Sequence, residues 1–433
     1  MKNENNLYWI WLSLRFGIAS KDLPKIVDSM TDPYEIYRLS EEEIEQLRVS
    51  DISKRKLCDK TLTESYSILK YCTKEKVDII PFTDRRYPER LRKIEDPPVL
   101  LYCKGRFPDM NSKLCIGMVG TRKMSEYGKQ TAYKISYELG SAGVCVVSGM
   151  ALGIDGTCAV GAIEGGGSTV AVLGCGISII YPKAHTKLSR AIERAGAVIT
   201  EYPPFEKPNS WNFPKRNRII SGLCQGIVVV EGAKGSGALI TAARAEQQGR
   251  EIFAVPGKVG DISSDGPNEL IRNGATIVLE AKDVIGHYEF LYKDTLNMRR
   301  LERARAISGV TSRLFEKYGM TYVNEVRTES IGEKRDTPVR ASYVKTEETE
   351  KEKVEKAEKA ENTAEKSPVA DHSVLEALDD NTRRIYGMLP EDTFTPDALA
   401  AKGVAVYHAI TALTMLEICG LVTSLPGGMY KKT

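Results

Sequence analysis

The residues best equipped for chemistry stand in FPKRNRIISGLCQGIVVVEGAKGSG, residues 213–237. Lys215, Arg216 and Arg218 crowd just ahead of the apolar run Gly226–Val230, and a glycine-rich turn carrying Lys234 follows at once. Such cations are either solvated surface charges or they face something anionic. Phosphate is the natural candidate, because fixed positive charge beside exposed backbone N–H groups is what it requires.

Similar loops recur along the chain: Gly120-Thr121-Arg122, then Ser148 to Asp155 (SGMALGID), then Gly174-Cys175-Gly176 leading to Tyr181-Pro182-Lys183, then Ala233 to Gly237. Glycines allow close backbone approach to a ligand. Aromatic rings are interleaved with the cations: Tyr181, Lys183 and His185, then Trp211, Phe213, Lys215, Arg216 and Arg218. Phosphates want the charge, and splayed bases want ring faces, each stacked base contributing about 1–3 kcal/mol whatever its identity.

Catalysis finds less support. Asp155 and Glu231 fall near strand ends without forming a paired-carboxylate arrangement, and Asp155 reads more naturally as a cap on the helix that follows. Ser148 in VSGMALG lacks the GxSxG elbow and reads as a loop donor. GMVGTR and GSGALI both break GxGxxG, and GSGALITA lacks the GK[ST] of a P-loop. Four scattered histidines and nine cysteines without a CxxC argue against a metal site. No catalytic residue, metal or cofactor is therefore assigned.

The loops must be held by strands, and the strands are legible. LCIGMVG (114–120), VCVVSGM (144–150), STVAVLGCG (168–176), AVIT (197–200), GIVVVEG (226–232) and EIFAVPG (251–257) are uninterrupted apolar runs separated by helical patterns. That is the signature of a parallel, doubly wound α/β sheet covered on both faces, with ligands beyond the carboxyl ends of its strands. This domain is placed at 81–292. Residues 1–80 read as short helices, with Ser40 and Glu43 forming a capping box. Residues 293–372 read as a linker whose early part has helical character. Within it, 346–366 holds eight Glu against five Lys, which leaves +6 on the remainder of a chain of net charge +3. Residues 373–433 suggest three helices and a hairpin around Pro426-Gly-Gly428, the order of a winged helix. Its third helical segment, VYHAITALTMLEICG, offers no Lys or Arg, which favours protein contact over duplex reading. No 18-residue apolar run or signal-peptide pattern appears, and free-cysteine usage fits a reducing compartment, so a cytoplasmic protein is expected.

Together GTR (120–122), SGMALGID, TVAVLGCGI–YP (169–182), FPKRNRIISG, VVVEGAKGSGALITAARAEQQGREIFAVPG (228–257) and GPNELIRNGAT (266–276) resemble the DNA-processing protein A (DprA/Smf) family, with YPERLRKIEDPPVLLYCKG (87–105) similar to its lead-in. The resemblance spans roughly residues 80–285. It implies an extended Rossmann-like domain, usually dimeric, flanked by a SAM-like helical domain and a winged helix. It also implies sequence-independent binding of single-stranded DNA, displacement of single-strand-binding protein and loading of RecA during natural transformation. The family's DNA pocket maps onto Gly120, Arg122, Gly149, Lys183, Arg216, Asn217 and Arg218, with Gly235 and Ser236 beside them. One departure is Ala159, where the family commonly has a histidine beyond GID. The rival is a phosphoribohydrolase-like nucleotide hydrolase, whose PGGxGTxxE is replaced here by EGAKGSGALITAARAE. If the groove neutralises about five phosphates, log K falls with log salt at a slope near −3.5.

Overall fold

The computed structural model describes residues 2–27, 30–305, 312–320 and most of 378–432. The first helices are α1 (Lys2–Phe16), α2 (Leu23–Val27), α3 (Pro33–Arg38), α4 (Glu41–Glu45), α5 (Asp51–Cys58) and α6 (Thr63–Lys74). Trp9, Ile10, Trp11 and Leu12 are consecutive and all buried, because α3, α5 and α6 pack against α1. The capping box at α4 is present, with the Glu43 N–H donating to Ser40 Oγ at 3.3 Å and the Ser40 N–H to Glu43 Oε2 at 2.8 Å. The buried Asp22 ties the module together by accepting from the hydroxyls of Ser50 and Ser53, each at 2.7 Å.

Nine strands among the described residues form one sheet: β1 (Asp78–Pro81), β2 (Leu100–Gly105), β3 (Cys115–Val119), β4 (Cys145–Ser148), β5 (Ser168–Val172), β6 (Ala197–Thr200), β7 (Gly226–Val229), β8 (Glu251–Ala254) and β9 (Thr276–Ile277). Their spatial order is β1-β2-β6-β5-β4-β3-β7-β8-β9. The pairs from β6 to β9 are parallel, whereas β1–β2 and β2–β6 are antiparallel. Successive side chains go to opposite faces and both faces are covered. Ile227 and Val229 join one core cluster, Val228 and Val230 the other. Covering them are α7 (Glu89–Arg92), α8 (Glu126–Ser141), α9 (Ile154–Glu164), α10 (Thr186–Ala195), α11 (Asn212–Leu223), α12 (Gly237–Gln247), α13 (Ile262–Arg272) and α14 (Ala281–Ile285).

The doubly wound, mostly parallel sheet is thus as the sequence implies, but its margins are wider. β1 straddles the boundary placed at residue 81, and β1, β2 and β9 are too short or too proline-rich to announce themselves. The boundary at 293 also moves. Helices α15 (Met298–Arg305) and α16 (Ser312–Lys317) carry Leu301, Phe315, Tyr318 and Met320 into the cores of the sheet domain. The helical character of this stretch was legible, but four apolar anchors over 20 residues of charged sequence gave no sign that it docks. The acidic–basic run at 346–366 lies outside the described residues.

Towards the C-terminus, α17 (Asp380–Met388) and an antiparallel pair, β10 (Val422–Leu425) and β11 (Met429–Lys432), enclose a separate core including Ile385, Leu399, Leu413, Leu416 and Val422. The Pro426–Gly428 turn and Pro396-Asp397 lie outside the described residues. Among the described residues no helix is long and apolar enough to cross a membrane.

Candidate nucleic-acid interface

Chain order leads from β3 to β4, β5 and β6 on one side, then returns so that β7 pairs with β3 on the other. Connectivity therefore reverses between β3 and β7, and the loops leaving their carboxyl ends must part there. Val119 and Val229 are register partners, so both loops start at one level. Between them opens a cavity of ≈ 590 Å³. The β3 loop contributes Gly120, Thr121, Arg122 and Lys123, and the far wall is Ser236 with the first turn of α12. Ser236 is the N-cap of α12, but its shielded hydroxyl makes no capping bond and has no partner among the described residues. The first N–H groups of an 11-residue helix thus add positive potential to that wall.

The floor comes from α11. Phe213, Arg216, Asn217 and Ile220 recur at i, i+3, i+4 and i+7, and all four line the cavity. Two guanidinium groups flank the Phe213 ring, Arg122 at 5.3 Å and Arg216 at 5.9 Å from its centroid, and the Tyr181 ring lies 5.4 Å away. Arg216 is 4% exposed. Its Nη1 donates to the carbonyls of Gly149, at 2.9 Å, and Val172, while Nε donates to Asn217 Oδ1 at 3.2 Å. A charge so fixed needs no ordering when a ligand arrives.

The carboxylates here are structural. Asp155 accepts the N–H groups of Gly149, at 3.1 Å, and Ala151, at 3.3 Å. It therefore reaches back to hold the loop after β4 instead of capping α9, whose N-cap is Gly153. Burial pushes its carboxyl above the ordinary range, opposed by the Arg216 charge and these N–H donors. Glu231 is buried and accepts the N–H of Ser125 at 2.9 Å and its hydroxyl, pinning the β3 loop at the start of α8. Ser148 Oγ donates to the Met118 carbonyl at 2.8 Å, which joins β4 to β3. His185 is buried with Nδ1 3.0 Å from the Met150 carbonyl, and burial lowers its pKa, so it supplies no charge to the site.

Gly120, Arg122, Gly149, Arg216, Asn217 and Ser236 are accordingly brought together around the cavity and the recess beside it. Lys183 is exposed two residues beyond Tyr181 and does not itself line the cavity, and Gly235 shapes the turn before α12 with φ +74°. Arg218 departs from the expectation. It is buried, with Nη2 2.5 Å from Glu201 and Nε 3.2 Å from Asp96. Lys234 pairs with Glu269 at 3.4 Å, and neither it, Lys215 nor Trp211 lines the cavity. The cause is helical geometry. Residues 212–223 are α11, so Lys215 and Arg218 project away from the face carrying Arg216. Lys123, next to Arg122, lines the cavity and was missed, although two adjacent cations after a strand were signal enough.

The family model for DNA recombination-mediator protein A matches residues 78–289. The chain is 41% identical over 208 residues to the DNA processing protein DprA of Bacillus subtilis, covering 48% of this chain and 70% of that one. Identity to DprA of Streptococcus pneumoniae is 42% over 207 residues, covering 48% and 73%. The X-ray structure of the Streptococcus pneumoniae protein aligns with a TM-score of 0.56 at 33% identity, covering 65% of this chain and 97% of that chain.

Proposed function

This chain belongs to the DNA recombination-mediator protein A (DprA/Smf) family, and from that premise we propose that it binds single-stranded DNA, without sequence preference, in the cavity between β3 and β7. The observation that carries this is the Phe213 ring lying beside both the Arg122 and the Arg216 guanidinium groups at the sheet's switch point. A base stacks on a ring whatever its identity, and its phosphates meet Arg122, Lys123 and the N-terminus of α12. Asn217 and Gly149 position Arg216, and Lys183 meets the strand where it leaves.

The protein acts in the cytoplasm as a carrier, not an enzyme. It presents the strand to RecA, helps displace single-strand-binding protein, and so serves recombination of incoming DNA during natural transformation. Support for a non-enzymatic role comes from the cavity lining, where Asp155, the one carboxylate there among the described residues, is engaged by the N–H groups of Gly149 and Ala151. A dimer is supported by exposed apolar residues at or following β8 and β9: Val259 at 91%, Ile262 at 73%, Ile277 at 48% and Leu279 at 68% exposed.

The test is fluorescence anisotropy of labelled oligo-dT across a salt series. Four cations, Arg122, Lys123, Lys183 and Arg216, predict a slope of log K on log salt near −2.8, shallower than if Arg218 took part. Arg122→Ala should flatten it by roughly 0.7. No binding at low salt would refute the proposal.

A further inference from the structure

Beyond the cavity lies a second concentration of positive charge. Helix α10 leaves the loop carrying Tyr181 and Lys183 and packs against α9, β5, β6 and β2. Its buried side holds Leu188, Ser189, Ala191 and Ile192. Its outer side carries Lys187, Arg190 and Arg194, all exposed and spaced i, i+3, i+7 along one face. Lys183, in the short turn before α10, continues the row in sequence towards Tyr181, which lines the cavity. Lys187 to Arg194 spans about 10 Å at 1.5 Å per residue.

None of these three has a carboxylate within ion-pair distance among the described residues. Two acids on α10 and α9 have partners elsewhere, Glu193 with Ser189 Oγ at 3.4 Å and Glu164 with Lys317 at 2.7 Å and the Tyr318 hydroxyl. Lys187, Arg190 and Arg194 instead line an open hollow of ≈ 490 Å³ between α10, Ile163 of α9 and the Lys317–Tyr318 segment. Mutually repelling charges left unpaired around a hollow cost stability unless an anion occupies it.

We propose that the α10 row of Lys187, Arg190 and Arg194 is a track for the phosphate backbone of the strand whose bases occupy the cavity, guided onto it by Lys183. This rests on single-stranded DNA binding at the cavity and extends it. The hollow offers cations, and its one ring, Tyr318, is buried, whereas Phe213 in the cavity is partly open, so the hollow reads phosphate and ignores bases. Binding should therefore depend on strand length in steps: a short strand fills the cavity, and a longer one also covers α10.

The experiment compares Lys187→Gln/Arg190→Gln/Arg194→Gln with the wild-type full chain, using oligo-dT of about six and about twenty nucleotides. All three side chains are exposed and unpaired, so the variant should fold and melt at or slightly above the wild-type temperature as their mutual repulsion is relieved. Three lost phosphate contacts should flatten the long-strand salt slope by about 2 and weaken binding about a hundredfold near 0.1 M salt, leaving the short strand unchanged. Equal long-strand affinity in variant and wild type would overturn the track, and is the result expected if the row receives an acidic protein segment instead. Equal losses on both lengths would also overturn it, by placing the row's effect at the cavity. Failure of the wild type to bind either length would instead remove the cavity as a DNA site.

Discussion

Replacing Arg218 by Met separates the two roles that its sequence neighbourhood suggests. The guanidinium is buried, 2.5 Å from Glu201 and 3.2 Å from Asp96, and the Arg218 and Glu201 side chains are each 4% exposed. Met keeps the volume of the side chain and removes its charge. The Glu201 carboxylate is then left without a partner in the interior, and breaking a buried pair in this way costs about 3–5 kcal/mol. Burial already pushes the Glu201 carboxyl upward, so in the variant it takes up a proton more readily, which favours the lower end of that range. For a domain of this size each kcal/mol shifts the melting temperature by about 2–4 °C, giving a fall of roughly 6–12 °C. Adding Glu201→Gln should recover part of the loss, because the uncompensated charge is then gone. Thermal unfolding followed by circular dichroism measures the first effect. Oligo-dT anisotropy on the folded variant, well below its midpoint, measures the second and should match wild type in affinity and salt slope. Melting within about 1 kcal/mol of wild type, accompanied by a slope flattened by roughly 0.7, would refute this assignment and return Arg218 to the DNA groove.

Gly149→Ala should destabilise the fold by about 1–3 kcal/mol and weaken oligo-dT binding, since the added methyl would lie 2.5 Å from the Arg216 guanidinium. Wild-type affinity in that variant would show that the position of Arg216 is immaterial. Phe213→Leu should cost about 1–3 kcal/mol of oligo-dT affinity with the salt slope unaltered, and a changed slope would mean that the ring acts on the arginines, not on bases. Asp22 should stabilise the helical module in a pH-dependent way. Burial alone would raise its carboxyl, but hydrogen bonds from Lys25, Ser50 and Ser53 bring it down to about 2. Its contribution is thus complete above the ordinary carboxylate pKa of about 4 and disappears as pH falls through about 2. Urea unfolding followed by Trp9 and Trp11 fluorescence should show Asp22→Asn weaker at neutral pH and converging on wild type in acid. A gap constant with pH would contradict this.

What the sequence made legible was whatever repeats with a period. The six inner strands are continuous apolar runs because both faces of the sheet are covered, and the cation-bearing loops could be placed at their carboxyl ends. Orientation within α11 was not legible from the cation cluster, although the period was there. Once 212–223 is a helix, Phe213, Arg216, Asn217 and Ile220 share a face and Arg218 does not. The partner that claims Arg218 is Glu201, just past β6 and 17 positions away, and no local pattern announces a contact of that kind. Asp155 was misplaced for the opposite reason. Its local role as a cap was plausible, but the N–H groups of Gly149 and Ala151 lie closer to its side chain once the β4 loop folds back over α9. The packing of residues 298–305 and 312–320 was obscured because a few apolar anchors on a charged background look the same whether the chain docks or not.

The cavity's electrostatics bear on the proposal that the protein carries a strand and does not hydrolyse nucleotides. Arg216 and Asp155 both line it, yet no ion pair within 4 Å joins them among the described residues. Burial depresses the Arg216 guanidinium and raises the Asp155 carboxyl, so each charge is held at some cost and neither fully neutralises the other. A phosphate entering beside Arg122 supplies the missing anion, and binding to the folded state alone must then stabilise it, by about 2.7 kcal/mol at a hundredfold excess over Kd. A hydrolase needs more than that, namely a base within reach of a water at the bound phosphate or sugar. Asp155 already accepts two backbone N–H groups, and moving it to activate water would release the β4 loop that supports Arg216. Oligo-dT should therefore raise the melting temperature, and nucleoside monophosphates incubated with the protein should keep their bases. Release of free base, abolished by Asp155→Asn in a variant that still melts like wild type, would sink the carrier assignment, because it would show that Asp155 performs chemistry which its loop contacts here leave no room for.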